Sequence, residues 1–328
     1  MIGRQDVIDA IEGNDPARLL RIIDGMCSAR AWAELAELAA RCRQAVDRGK
    51  QLWGIAYHAD YRLALEGPPD LAAAVAMSGG GGFTLGPLTE VAASTHVWKE
   101  LDPHLPPGTT RTLIAQERVV RGEDLLGTSG IDHRLLELPL VLSDWEPTYA
   151  TAAYRSDRAN HPTPEAPALT SVELPPAAPV LDHPDEIDAL LALTETWVTG
   201  SNGRSEAAAV DGNAQEAVSA LGPRRILIGE TDLGGALAWM AWAAASGGAH
   251  GKRPGAAAGR FAAWWTLAAL TDLLDSWPPN PDELGEAGRT LRWYLWDDLA
   301  PLTGWVLRLA AEDPEHGVAW AMSAVDAE

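Results

Sequence analysis

The residue types best suited to ligand chemistry converge on one segment, Ser246-Gly247-Gly248-Ala249-His250-Gly251-Lys252-Arg253-Pro254-Gly255. Its glycines let the backbone approach a ligand closely. The helix expected directly after it offers unpaired N–H groups and a partial positive charge, and the two together favour an anion. Lys252 and Arg253 add mobile cations beside His250 in a chain with only three lysines, and Arg260 follows about two helical turns on. His250 titrates near neutrality, as a general acid or base does. No nucleophile or carboxylate partner for it is identifiable in the sequence, so it reads as a binding residue and the catalytic set stays unknown. The competing account is a helix-to-helix connection with solvated charges.

The loop is not a phosphate-binding GxxxxGK[ST] motif, which requires Gly where Ser246 stands and Ser or Thr where Arg253 stands. Nor is it a dinucleotide fingerprint, because no strand leads into it. A second constellation is Thr199-Gly200-Ser201-Asn202-Gly203-Arg204-Ser205-Glu206. Asn-Gly signals a turn, and the turn would present Asn202, Arg204 and Glu206, with the Arg fork suited to a carboxylate or phosphate. If the two loops meet, His250, Lys252, Arg253, Arg204, Asn202 and Glu206 form one anion-binding set; the alternative is a polar connection of no special role.

Other candidates carry less. Glu230 and Asp232 follow an expected strand, where sites of α/β proteins gather, whereas Asp297-Asp298 and Glu312-Asp313 with Glu315 read as solvated charges. Cys27 and Cys42 lack metal-ligand spacing and read as buried small hydrophobes. No metal set is expected and no cofactor is indicated. Metalloprotease HExxH, EF-hand, GxSxG, kinase, deaminase and P-loop patterns are absent.

Nine tryptophans fall between Trp239 and Trp320. Trp239 and Trp242, and again Trp293 and Trp296, are spaced to share a helical face and fill a core that has only two Phe to draw on. Arg260 precedes Trp264 by one helical turn, the spacing of a cation–π contact.

The elements that must position these residues read as mainly α. Short amphipathic helices fill residues 1–127 as a helical-hairpin bundle or short solenoid, among them 17–27 after Asp15-Pro16, 29–48, 51–66, 71–77, 88–101 and 110–125. Glycine and proline turns separate them, one of them the run from Ser78 to Gly82. A proline-rich strap or linker occupies 128–184. Residues 185–328 form a Trp-rich, α-rich α+β domain: helices over 185–198 and 213–221, short strands at 207–210 and 225–228, then helices over 233–245, 256–274, 281–299, 302–311 and 314–325 around a small sheet.

At 328 residues the chain is long enough for two domains. A formal net charge of −21 repels nucleic acid. The first residues, Met1 to Asp6, lack an apolar signal core and no apolar run is long enough to span a bilayer, so the expected compartment is the cytoplasm, away from membranes. Three functional readings follow. The leading one is a non-catalytic interaction protein whose helical part binds a protein partner and whose glycine loop holds an anion. The others are an enzyme acting on a small phosphorylated or carboxylated metabolite, and a subunit of a larger assembly with exposed apolar helical faces.

Overall fold

The computed structural model of the chain describes residues 4–79, 84–300 and 304–327. Three sequence expectations fall partly outside them: the reading of the segment Met1–Asp6, the glycines at 80–82, and the first residues of the helix expected over 302–311. The described chain divides into two compact units.

The first unit comprises residues 1–118, 127–135 and 152–160. Its helices are α1 (Arg4–Glu12), α2 (Pro16–Ser28), α3 (Trp32–Asp47), α4 (Trp53–Glu66), α5 (Pro69–Met77), α6 (Leu88–Thr95), α7 (Trp98–Leu101) and α8, which runs over Thr109–Val120. Asp15 caps α2 by accepting the Arg18 N–H, with Pro16 in the first turn, where a missing N–H costs nothing. Leu19, Ile23, Leu35, Leu38, Leu52 and Leu63 form the core between the first four helices. Cys27 and Cys42 are both buried in it, and burial pushes each thiol up to about 11, which keeps them protonated and inert. A short hairpin, β1 (Ala153–Tyr154) with β2 (Ala159–Asn160), is tied to α6 by the Tyr154 hydroxyl, which donates to Glu90 at 2.7 Å.

The second unit holds residues 119–126, 136–151 and 161–328. Its elements are β3 (Thr170–Glu173), α9 (Pro184–Ala192), α10 (Glu195–Gly200), β4 (Arg204–Asp211), α11 (Ala214–Ala220), β5 (Arg225–Thr231), α12 (Leu233–Ala245), α13 (Ala256–Leu270), α14 (Pro281–Thr290), β6 (Arg292–Asp297), β7 (Gly304–Asp313) and β8 (Val318–Ala327). The strands form one six-stranded antiparallel sheet in the order β3-β5-β6-β7-β8-β4.

This sheet corrects the mainly α expectation: the chain is mixed α+β, with 47% of the described residues helical and 16% in strands. Helix was expected over 281–299, 302–311 and 314–325, where the structure has α14 followed by β6, then β7, then β8. The cause is burial on both faces. Leu307, Leu309 and Ala311 of β7 pack into one core, and Ala310 packs into the other. Such a strand reads as an unbroken apolar run without alternation, which periodicity does not distinguish from a buried helix. Trp293 and Trp296, expected on one helical face, stand on opposite faces of the sheet instead.

One face of the sheet carries Trp293, Leu295, Leu309, Trp320 and Met322 against α9, α12 and α13, while α11 covers the opposite face with Ala217 and Val218. The alanine content of α12 and α13 has a direct use. A Cβ added at Gly259 would lie 2.3 Å from the Ala241 carbonyl oxygen and 2.8 Å from the Ala245 Cβ, so the two helices pack backbone against backbone. Among the described residues no helix is long and apolar enough to cross a membrane.

Residues 136–151 have almost no regular structure and are held to α13 by a buried ion pair. Arg260 and Glu146 side chains are both 0% exposed and 2.7 Å apart. Arg260 also donates to the carbonyls of Pro139 at 2.9 Å and Val141 at 3.0 Å. Glu146 accepts from the Ser143 N–H, the Tyr149 hydroxyl and the Trp264 indole N–H. Burial alone would raise the Glu146 carboxyl, but the hydrogen bonds and charge of Arg260, with the Ser143 and Trp264 donors, hold it below the usual carboxylate range. The cation–π contact expected from spacing is present, with Arg260 5.4 Å from the Trp264 ring centre.

Because removing the guanidinium leaves Glu146 buried with no cation beside it, Arg260→Ala should destabilise the protein by about 3–5 kcal/mol in urea unfolding. Tyr149→Phe, which removes one donor to the carboxylate, should cost about 1.5–3 kcal/mol. Equal losses for the two variants would mean that the pair is not the main anchor.

Candidate functional site

The glycine loop is a clasp on the end of β8. Trp197 of α10 donates its indole N–H to the Ser246 hydroxyl at 2.7 Å, and Thr196 donates to the Ser246 carbonyl at 2.9 Å. The Ala249 N–H donates to Oδ2 of Asp326 at 2.6 Å. Asp326 is 0% exposed. A Cβ on Gly248, whose φ is +69°, would sit 2.0 Å from the same oxygen. The glycines therefore let the loop close on a carboxylate, but that carboxylate is the chain's own.

The two sequence-selected loops do meet. A Cβ on Gly200 would lie 3.3 Å from the Gly251 Cα, and the His250 N–H donates to the Ser201 hydroxyl at 3.2 Å. His250 and Lys252 are exposed and Arg253 is half-buried. Asn202 is exposed on the turn before β4. Arg204 and Glu206 are exposed on β4, opposite Val325 and Ser323 of β8. Side chains alternate along a strand and directly opposed residues share a face, so Arg204 and Glu206 stand on the sheet face away from Asp326 and the clasp. The sheet thus divides five of the six residues, with His250, Lys252 and Arg253 on one side and Arg204 and Glu206 on the other, while Asn202 sits on the turn before β4.

Of the sequence-noted carboxylates, Asp232 accepts the Gly235 N–H at 2.7 Å as the N-cap of α12. It and Glu230 line a groove of about 1050 Å³ beside that helix start. The arginines of this groove are taken up by ion pairs, Arg289 with Asp144 at 3.6 Å and Arg292 with Glu312 at 3.2 Å.

A smaller cavity of about 410 Å³ has more chemistry to offer. It is lined by His183, Glu186, Asp313, His316 and Trp320, with Leu270 and Val318 on its apolar side. His183 precedes α9 as its N-cap residue, and its Nδ1 lies 2.6 Å from Oε1 of Glu186 in the first helical turn. His316 sits in the β7–β8 turn, with its Nδ1 2.7 Å from Oδ2 of Asp313 at the end of β7. That turn is built by Asp313 itself, which also accepts the Glu315 and His316 backbone N–H groups. The His183 ring meets the Trp320 ring edge-on at 6.4 Å. Trp320 is only 4% exposed, and its indole N–H has no acceptor among the described residues.

Each carboxylate accepts the Nδ1 proton and so fixes a tautomer that leaves Nε2 as the basic nitrogen; at His316 the Asp313 carboxylate also stabilises the imidazolium. The Asp313 hydrogen bond and charge raise the His316 pKa above its ordinary value. Burial alone would raise the Asp313 carboxyl, yet the His316 ring and the His316 and Glu315 backbone donors bring it below its ordinary range. Among the described residues no three His, Cys, Asp or Glu side chains are grouped as a metal site.

Sequence reasoning missed this pocket. The signal present was a shared spacing, His183-Pro184-Asp185-Glu186 and its reversed counterpart Asp313-Pro314-Glu315-His316.

Two measurements check this geometry. In NMR titration His316 should change charge above the ordinary imidazole midpoint, and Asp313→Asn should return it there. The ion pair should stabilise the fold between the lowered Asp313 pKa and the raised His316 pKa, and weaken on either side. For the clasp, Gly248→Ala forces a Cβ onto the Asp326 carboxylate at positive φ and should lower stability by at least about 1 kcal/mol. An unshifted His316 midpoint, or a neutral Gly248→Ala, would contradict the respective contact.

No curated protein and no solved structure matches the chain. The model of a family of unknown function, DUF6183, matches residues 17–328. With nearly its whole length inside that match, the chain belongs to the DUF6183 family.

Proposed function

We propose that the protein is an enzyme that binds a small carboxylated or phosphorylated molecule in the His183–His316 pocket and exchanges protons with it through those two imidazoles. One observation carries the reading: two histidines, each held at Nδ1 by its own carboxylate, line a single cavity. One imidazole with a free Nε2 removes a proton while its charged counterpart delivers one, the division of labour of general acid–base catalysis. The buried Trp320 N–H supports a ligand that brings a hydrogen-bond acceptor, because a buried donor left unpaired costs about 1–3 kcal/mol that such a ligand returns. Each imidazolium is balanced by its own carboxylate, so an anionic group would be held by charge-assisted hydrogen bonds from the Nε2–H donors and not by a net positive field.

This reading assigns the anion to a different place from the 246–255 loop, where the Ala249 N–H is already taken by Asp326. Lys252 and His250 remain as exposed side chains of the clasp.

The test is a thermal-shift series with inorganic phosphate, acetate and citrate, together with hydrolysis assays on p-nitrophenyl acetate and p-nitrophenyl phosphate. Wild type is compared with His183→Gln/His316→Gln and with Trp320→Phe, which keeps most of the ring packing. At least one anion should raise the melting temperature more at about pH 6 than at about pH 8, the range over which imidazoles lose their charge. The double variant should lose both the shift and any turnover, and Trp320→Phe should weaken binding about tenfold, the loss of one hydrogen bond. Binding or turnover that persists in the double variant, or no response to any probe, rejects the proposal.

A further inference from the structure

We infer that the open half of the β4 edge pairs with β4 of a second copy of this chain, antiparallel about a two-fold axis through Ser205. The Ala209 carbonyl accepts the Leu181 N–H, and the Asp211 N–H donates to the Pro179 carbonyl, so the odd-numbered residues of β4 face away from β8. Gly212, one step on, donates to Gly317 on the β8 side, as alternation requires. Ser205 and Ala207 therefore direct their N–H and C=O groups outward as well. The strap at 179–181 covers only the 209–211 half of the edge. Among the described residues the outward backbone groups of Ser205 and Ala207 have no backbone partner.

An uncovered strand edge is a template for another strand, and the residues on it decide which one. Here they decide for a copy of the same strand. An antiparallel pairing centred on Ser205 sets Ser205 opposite the copy's Ser205, where the two exchange both backbone hydrogen bonds. It sets Arg204 opposite the copy's Glu206, and Glu206 opposite the copy's Arg204. Those are non-hydrogen-bonded positions, where opposed side chains come closest. Both residues are exposed and stand on one face. Shifting the axis by one residue, to Arg204 or to Glu206, would oppose like charges, so the charges favour the Ser205 axis over its neighbours. On the other face Gly203 and Ser205 already meet α10 and its N-cap, the Gly203 N–H donating to the Trp197 carbonyl and the Ser205 hydroxyl accepting from Thr194, so the pairing consists of the Ser205 exchange flanked by the Ala207 N–H donating to the copy's Gly203 carbonyl. Edge charges usually keep other strands away; with opposite signs two residues apart they complement their own copy.

Arg204 and Glu206, which the sequence analysis assigned to an anion site, are on this view pairing residues. The inference does not depend on the histidine pocket, which lies on the α9 side of the sheet.

The test uses the full chain in sedimentation equilibrium from about 1 µM to about 500 µM, the range in which a modest interface dissociates. Wild type should form a dimer. Arg204→Glu and Glu206→Arg each turn both salt bridges into like-charge pairs and should weaken dimerisation about tenfold or more, with unchanged melting of the monomer. Mixing the two single variants restores Glu opposite Arg at both positions, so the mixture should form a heterodimer of wild-type strength. Ser205→Pro removes the central donor and should leave a monomer. A wild type that is monomeric throughout, a dimer indifferent to the single charge reversals, or a mixture that fails to regain affinity would each overturn the inference.

Discussion

The buried Arg260–Glu146 pair is the constraint on which the second unit is assembled. Residues 136–151 contribute no helix or strand, so their carbonyls and N–H groups need partners that secondary structure does not supply. Arg260 accepts that role by donating to Pro139 and Val141, and Glu146 folds back on its own segment through Ser143 and Tyr149. A buried pair contributes little when its remaining hydrogen-bonding capacity is unmet. Here the guanidinium reaches two carbonyls and a carboxylate, and the carboxylate is met by an amide, a hydroxyl and an indole, so desolvation is offset on both sides. The pair converts an irregular segment into a fixed wall against α13.

From α13 the order passes to the histidine pocket. Thr266 donates to the Ala189 carbonyl of α9 at 3.1 Å, fixing the helix whose N-terminus carries His183. Leu270 at the last turn of α13 forms part of the cavity. The other wall comes from β7 and β8, whose turn holds His316. Small and large residues divide the work: glycine and alanine let α12 and α13 touch along their backbones, and tryptophan rings span the wider gaps between those helices and the sheet. Trp242 and Trp305, for example, stack at 4.9 Å across the helix–sheet interface. With two Phe in the whole chain, that volume has few other sources.

Legibility followed local information. Asp15-Pro16 marked the start of α2, the apolar stripe of 29–48 corresponds to α3 over Trp32–Asp47, and the β-branched run at 225–228 lies in β5. These signals act over a few residues and survive tertiary context. β7 did not: its apolar positions on both faces erase the alternation that identifies a strand, and its alanines favour the helical alternative. The pocket was illegible for another reason. The spacing of His183 to Glu186 and of Asp313 to His316 is written in the sequence, but only the placement of the β7–β8 turn beside α9 joins them, and that placement depends on a sheet the sequence did not disclose. The clasp is similar, because the glycine loop's anion, Asp326, is 77 residues from Ala249.

β8 links these features because successive residues on a strand serve different surfaces. Trp320 and Asp326 face the helices, the first lining the pocket and the second holding the glycine loop. Ser323 and Val325 face the opposite side, in register with Glu206 and Arg204 of β4. The backbone of β8 meanwhile holds β4 at the edge of the sheet. A side chain changed on one face leaves the other face in place, since the strand's hydrogen bonds lie in the sheet plane and do not depend on it. Pocket chemistry and edge chemistry can therefore vary separately in this fold, provided the register of β8 against β7 and β4 is kept. A one-residue slip would exchange the two faces and turn Trp320 and Asp326 onto the face that Ser323 and Val325 now occupy. Register, fixed by a tight Asp313-to-Gly317 turn with Gly317 at positive φ, is accordingly the property through which this strand serves both surfaces.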